Sequence, residues 1–329
     1  MKPSFHATLV NGPFDDPVVF ARVMRERRAF LFDLGQIGRL DPGNLLKISD
    51  IFVSHTHMDH FIGFDTLLRN SLRREEPLRI YGPEAVISCV EGKLRGYTWN
   101  LIRDYPIKIE AFGISHKGIS NSSFHAEEEF RRVDHPSVPF SGIVISEPGF
   151  EVKALVLSHD IPVIAYSLKE DFHININKAA LLDRGLPVGP WISELKKEIR
   201  SQKSEVRSQK PEEVTFEVGE KMLRLEELMD IVTITRGQKI SYVTDVSPTD
   251  ENIEKVISFV AGSDLLFCEA YFLDRDRDRA RDRHHLTAAI SGRIGREAGV
   301  SQLSLMHFSP KYRHCEDEIH REAMDAFRG

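Results

Sequence analysis

The 329-residue sequence predicts a layered α/β domain that carries one insertion. Three observations point to it. Short apolar runs of strand character alternate with amphipathic segments in both halves of the chain. The alternation breaks over 184–237, where a Pro/Gly-rich opening leads into a charged run in which Glu198-Ile-Arg-Ser-Gln-Lys203 recurs as Glu205-Val-Arg-Ser-Gln-Lys210. The composition, 41% hydrophobic and 29% charged, is that of a globular protein and excludes disordered, collagenous and disulfide-scaffold classes.

In the first half, Ala29–Asp33 and Asp50–Ser54 read as buried strands. Residues 61–73 place Phe61, Phe64, Leu67 and Leu68 at helical spacing. Leu78–Tyr81 is a strand stopped by Gly82-Pro83, and Pro83 suits the start of a helix over Glu84–Gly92. Ile107–Phe112, Gly142–Ser146, Val152–Leu157 and Val163–Leu168 read as further strands. Gly185–Trp191, with two prolines and two glycines, favours a turn. The duplicated charged run after it predicts a solvated protrusion. Beyond the insertion come strands Lys239–Thr244, Leu265–Glu269 and Gln302–Met306, a helix near Thr287–Ala298, and a terminal amphipathic helix over 316–328. The alternating Asp274-Arg275-Asp276-Arg277-Asp278-Arg279 predicts a self-neutralising exposed loop.

A formal charge of −6 excludes a generally basic nucleic-acid binder, so any RNA contact must be a local patch. Three cysteines do not make a disulfide framework and predict a reducing cytoplasm. The opening Met1–His6 has no signal-peptide character, and no apolar run approaches the ~20 residues of a membrane helix.

The chemistry concentrates in His55-Thr-His57-Met-Asp59-His60, which follows an apolar strand and precedes a helix. Histidines two apart on an extended backbone face the same way and can grip one ion. Asp59 and His60, at the turn, can point back toward a second. Imidazole and carboxylate donors favour Zn²⁺, with Mn²⁺ or Fe²⁺ tolerated.

This segment resembles the signature of the metallo-β-lactamase superfamily, whose fold is a four-layer αββα sandwich with a dinuclear site along one sheet edge. On that resemblance, His159 after Val152–Leu157, Asp245 after Tyr242-Val-Thr and His307 after Leu305-Met complete the ligand set. His55, His57 and His159 would hold one ion, Asp59, His60 and His307 the other, and Asp245 would bridge. Further stretches resemble the ribonuclease Z branch, the tRNA 3′-processing endonucleases. These are His159-Asp-Ile-Pro162-Val-Ile-Ala-Tyr166, the Gly185–Trp191 opening of a substrate-gripping arm, Glu269-Ala-Tyr-Phe272, His285-Leu-Thr-Ala288 and His307-Phe-Ser-Pro-Lys-Tyr312. Departures are Cys268 for a usual His, Tyr271 for a usual Thr, and Thr8–Pro17 in place of a glycine-rich loop.

The resemblance implies a single domain over 1–329 with an inserted arm at 184–237. It implies a phosphodiesterase that removes the 3′ trailer of precursor tRNA by attack of a hydroxide activated between two zinc ions. Asp59 would orient the water, and His285 paired with Glu269 would protonate the leaving oxygen. Gly189, Pro190 and Trp191 on the arm, with Lys311, Tyr312 and Arg313 near the metal edge, become candidate substrate contacts; Arg281 and Arg283 are candidate phosphate contacts. Pairing into a homodimer is common in the family. The alternative is a hydrolase of the same fold acting on a small phosphodiester such as a cyclic nucleotide.

Overall fold

Strands that are buried at every residue need cover on both faces. Ala29–Phe32 and Ile48–Phe52 are of this kind, and they lie in the middle of the first of two large sheets. The computed structural model describes residues 4–24, 26–203 and 214–329; the side chains of His159, Gln202 and Lys203 are outside that description. The first sheet runs in chain order: β1 (Phe5–Leu9), β2 (Val19–Val23), β3 (Ala29–Phe32), β4 (Ile48–Phe52), β5 (Leu78–Pro83), β6 (Lys108–Ser115), β7 (Gly118–His125) and β8 (Arg132–Val138). β3 to β6 are parallel neighbours, flanked by antiparallel pairs.

Next along the chain are β9 (Ile143–Glu147), β10 (Phe150–His159) and β11 (Ile161–Glu170). After β12 (Phe172–Ile176), β13 (Thr215–Val218), β14 (Lys221–Arg224) and β15 (Val232–Arg236) come β16 (Lys239–Val243), β17 (Leu265–Glu269) and β18 (Leu303–Met306). The second sheet has the order β18-β17-β16-β11-β10-β9, with β16, β17 and β18 parallel. Phe32 and Phe52 of the first sheet meet Tyr242 and Tyr166 of the second at 5.7 and 5.3 Å between ring centroids. Tyr166 Oη also donates to Val53 O at 2.9 Å. The outer face of the first sheet is covered by Phe64–Ser71 and Val86–Arg95. Asp250–Val260 and Ala288–Glu297 cover the second. The expected αββα order is therefore present.

The expected helix over 61–73 is split into Met58–Phe61 and Phe64–Ser71. Gly63 sits against the loop after β3, where a Cβ would lie 2.1 Å from Gly35 O. The acidic–basic run over 274–279 is not a loop either. A 3₁₀ turn, Asp274–Asp276, leads into a helix, Arg277–Asp282.

The chain divides into two compact units. The larger is Phe5–Val144, Val152–Leu168 and Lys239–Gly329. The smaller comprises Ile145–Glu151 and Lys169–Gln238, with Ser4, so its bounds are wider than the stretch set apart by composition. It has a core of its own, in which Ile174, Leu181, Trp191, Leu195, Phe216 and Leu228 are buried. Apolar residues at helical spacing in Trp191–Lys203 bury one face of that helix, which is why the segment is not the solvated protrusion its charge suggests. The second copy of the duplicated heptad, 205–210, lies outside the described residues.

Removing a buried tryptophan costs about 3–5 kcal/mol. Trp191→Ala is expected to open the smaller unit to limited proteolysis between residues 169 and 238 while metal content stays unchanged. Protection equal to wild type would contradict this core.

Candidate metal centre

Most side chains of the site are delivered at the C-terminal ends of strands in the larger unit; His285 comes instead from the turn after the helix Arg277–Asp282. Asp33 follows β3, Ser54 to His60 follow β4, Asp245 follows β16, Glu269 ends β17 and His307 follows β18. Asp33, Asp245 and His307 take left-handed backbone angles, with φ of 58°, 53° and 55°. Such turns off a strand cost about 1–3 kcal/mol each at a non-glycine residue and persist where surrounding bonds enforce them.

Asp33 supplies the strongest of those bonds. Buried completely, it accepts from Ser54 N at 2.6 Å, Ser54 Oγ at 2.8 Å, Tyr242 Oη at 2.6 Å and His60 Nδ1 at 2.6 Å. A carboxylate only accepts, so His60 donates from Nδ1 and turns its Nε2 toward the cluster. The backbone locks the same geometry: Leu34 N donates to His60 O at 2.9 Å and Gly63 N to Leu34 O at 2.8 Å. Gly35 is required here, since a Cβ would stand 2.7 Å from Asp59 O.

His60 Nε2 is 3.2 Å from Asp245 Oδ2 and 3.4 Å from Asp59 Oδ2. His307 places Nε2 3.4 Å from Asp59 Oδ2 and Nδ1 3.5 Å from Asp245 Oδ2. Two donors each ~2.0–2.1 Å from one tetrahedral ion stand roughly 3.3 Å apart. His60 Nε2 and His307 Nδ1 are buried and make no hydrogen bond among the described residues. The groups His55–His60–Asp245, Asp59–His60–His307 and Asp245–His285–His307 each bring three donors together. This is the donor set of a divalent-metal site.

The electrostatics agree. Burial opposes protonation of His60, but the charges of Asp245 and Asp33 outweigh it and raise its pKa well above 6.5. Burial likewise opposes His307, and Asp245 and Asp59 override it, to about 10. Burial would raise Asp245, yet His307 and His60 hold it well below the carboxylate range. The buried carboxylates demand positive charge, which protons or metal ions can supply.

His57 is exposed; its ring centroid is 4.3 Å from that of His55, and it lines the same cleft of about 430 Å³. His159 ends β10, but its side chain is outside the described residues. His285 Nδ1 donates to Glu269 Oε2 at 2.8 Å, and Glu269 also accepts from Val246 N at 2.7 Å. The neighbouring His284 turns toward Ser247 instead, at 3.1 Å. Tyr271 stacks on His285 with centroids 4.0 Å apart and planes 7° from parallel. Cys268, next to Glu269, points into the core, where burial and then the charge of Glu269 push its thiol up to about 12.

Several candidate substrate contacts have structural roles. Trp191 is 4% exposed and its indole donates to Pro187 O at 2.9 Å, so its ring is core rather than contact surface. Gly189 and Pro190 form the turn before its helix. Lys311 donates to both oxygens of Asp276 at 2.8 Å, and the buried Tyr312 donates to the same carboxylate, which ties both to the 3₁₀ turn. Arg313 is exposed, with its guanidinium 5.4 Å from the Phe14 ring centroid. Thr8–Pro17, in place of a glycine-rich loop, braces the His307 loop: Phe308 N donates to Pro13 O at 2.7 Å, and Phe14 packs edge-on against Phe308. Motif reading finds Asp33 only as part of the Asp33-Leu-Gly35 element kept from the family pattern, with no role at the site. Its signal was a lone Asp-x-Gly after a fully apolar strand.

Two outcomes follow from this geometry. Asp33→Ala is expected to lower metal affinity about 10–100-fold, read as metal retained after dialysis, because His60 loses its orientation. Unchanged retention would show that Asp33 does not hold the ligand. Metal binding at pH 7 is expected to release protons, since His307 is protonated below about 10 in the metal-free protein and must give up its proton to ligate. Calorimetry in buffers of different ionisation heats measures this directly, and zero release contradicts it.

No family model matches the chain. The ribonuclease Z of Methanosarcina acetivorans is 30% identical over 316 residues, spanning 93% of this chain and 86% of its own length. That of Deinococcus radiodurans is 27% identical over 268 residues, spanning 81% and 77%. Among solved structures, a metallo-β-lactamase fold protein from Bacillus subtilis superposes with a TM-score of 0.55 at 17% identity, covering 98% of this chain and 93% of that one. The short form of human tRNase Z gives 0.51 at 18% identity, covering 94% and 92%. The two structures carry the fold, and the identity and coverage of the archaeal relative carry the family. This chain is a metallo-β-lactamase-fold member of the ribonuclease Z family.

Proposed function

We propose that this protein is a metal-dependent endoribonuclease that removes the 3′ trailer of precursor tRNA, with two zinc ions as its metals. The carrying observation is the Asp59–His60–Asp245–His307 cluster lying beside the buried Glu269–His285 pair, in a chain of this family. His55, His57 and His159 would serve one ion, Asp59, His60 and His307 the other, with Asp245 between them. Bound there, two divalent ions would supply a nucleophile at neutral pH and neutralise phosphate oxygens.

The chain's own groups do the rest. Asp59, 43% exposed at its side chain, is open to the cleft and orients the attacking water. Glu269 fixes the His285 ring by accepting from Nδ1, which leaves Nε2 to pass a proton to the departing 3′ oxygen. Stacking on Tyr271 fixes the plane of that ring. The reading extends to a cytoplasmic enzyme, in keeping with three free cysteines, and to a homodimer, which light scattering of the pure protein tests.

Incubation with a precursor tRNA is expected to yield a product ending at the discriminator base. Turnover of bis(p-nitrophenyl) phosphate with no cut in the tRNA would contradict the reading. His285→Ala is expected to lower kcat by ~10²–10⁴-fold with metal content unchanged. Parallel loss of metal would make His285 a ligand rather than the proton donor.

A further inference from the structure

The arginines of the Asp-Arg alternation have two different fates. Arg275 pairs with Glu318 at 2.6 Å and Arg277 pairs with Asp274. Asp276 is taken by Lys311 and Tyr312. Two residues of α-helix turn the chain through roughly 200°, so alternate arginines leave the short helix Arg277–Asp282 on opposite sides. Arg277 and Arg281 line a separate pocket beside Arg293. Arg279 and Arg283, one helical turn apart, line the metal cleft together with His57, Asp59, His285 and His307. Both are exposed, and neither makes an ion pair among the described residues.

A pair of guanidiniums on the wall of a cleft whose floor would hold two cations selects a polyanion. The ions would neutralise the reacting phosphate, and the arginines line the same cleft without belonging to the donor groups, which leaves them for further phosphates of the same strand. A guanidinium presents a planar fork that matches phosphate oxygens. We propose that Arg279 and Arg283 grip backbone phosphates of the RNA strand flanking the scissile one. The inference rests on the endoribonuclease reading and assigns two of its substrate contacts.

The test compares wild type, Arg279→Ala/Arg283→Ala, Arg279→Lys/Arg283→Lys and Arg275→Ala, each metal-loaded. kcat/KM for precursor tRNA is measured over a salt series, and bis(p-nitrophenyl) phosphate turnover is measured alongside. The double alanine variant is expected to lose about tenfold in kcat/KM for each guanidinium removed. Its log–log salt slope should become shallower by about 1.4, from ~0.7 for each single-strand phosphate contact. The lysine variant should keep the wild-type slope, Arg275→Ala should match wild type, and small-ester turnover should not change. An unchanged slope in the double alanine variant, or an equal fall in small-ester turnover, overturns the inference while leaving the endoribonuclease reading in place. A wild-type protein that turns over the ester and never cuts the tRNA overturns that reading and this inference with it.

Discussion

The Asp33 carboxylate is the point from which the metal centre is built. A fully buried charge is tolerated only when its lone pairs are satisfied, and here four donors converge on two oxygens. Those donors come from the turn after β4, the short helix beyond it, and β16 of the opposite sheet. One side chain thereby ties together both sheets of the sandwich and sets which nitrogen of His60 faces the cluster. The left-handed angle at Asp33, and the glycines at 35 and 63 that let two loops touch, are the local costs of that arrangement.

Apart from His285, which comes from the turn after Arg277–Asp282, the rest of the centre follows from strands ending at one edge. Parallel strands deliver their C-terminal ends together, and open α/β sheets place their sites there. Asp245, Glu269 and His307 follow or end three neighbouring parallel strands. Alternation along β17 sends Glu269 to the site and Cys268 to the core, so a cysteine at that position leaves the metal cluster untouched. Negative charge is then concentrated: Asp59, Asp245 and Glu269 meet within a protein already carrying −6. A cationic centre reverses the local sign, and the arginines on the cleft wall extend that reversal outward.

Much of this was legible in the residues. Apolar runs marked the central strands because burial on both faces requires them. The His-x-His-x-Asp-His turn marked the centre because so many donors in six residues have no structural use. What escaped has a common cause. Asp33 is one carboxylate in a short loop, and its importance lies in partners up to 209 positions away. The core of the smaller unit was masked by charge, since Trp191, Leu195 and Ile199 occupy one face of a helix whose other face is polar. The alternating Asp-Arg run looked self-cancelling because sequence spacing alone does not say which carboxylates are already taken.

The centre stands or falls on whether this cluster binds two divalent ions. Anomalous diffraction from crystals of the metal-loaded protein measures it directly. Two peaks are expected within the cluster formed by His55, Asp59, His60, Asp245 and His307. No peak there, or metal bound only elsewhere on the chain, would contradict it.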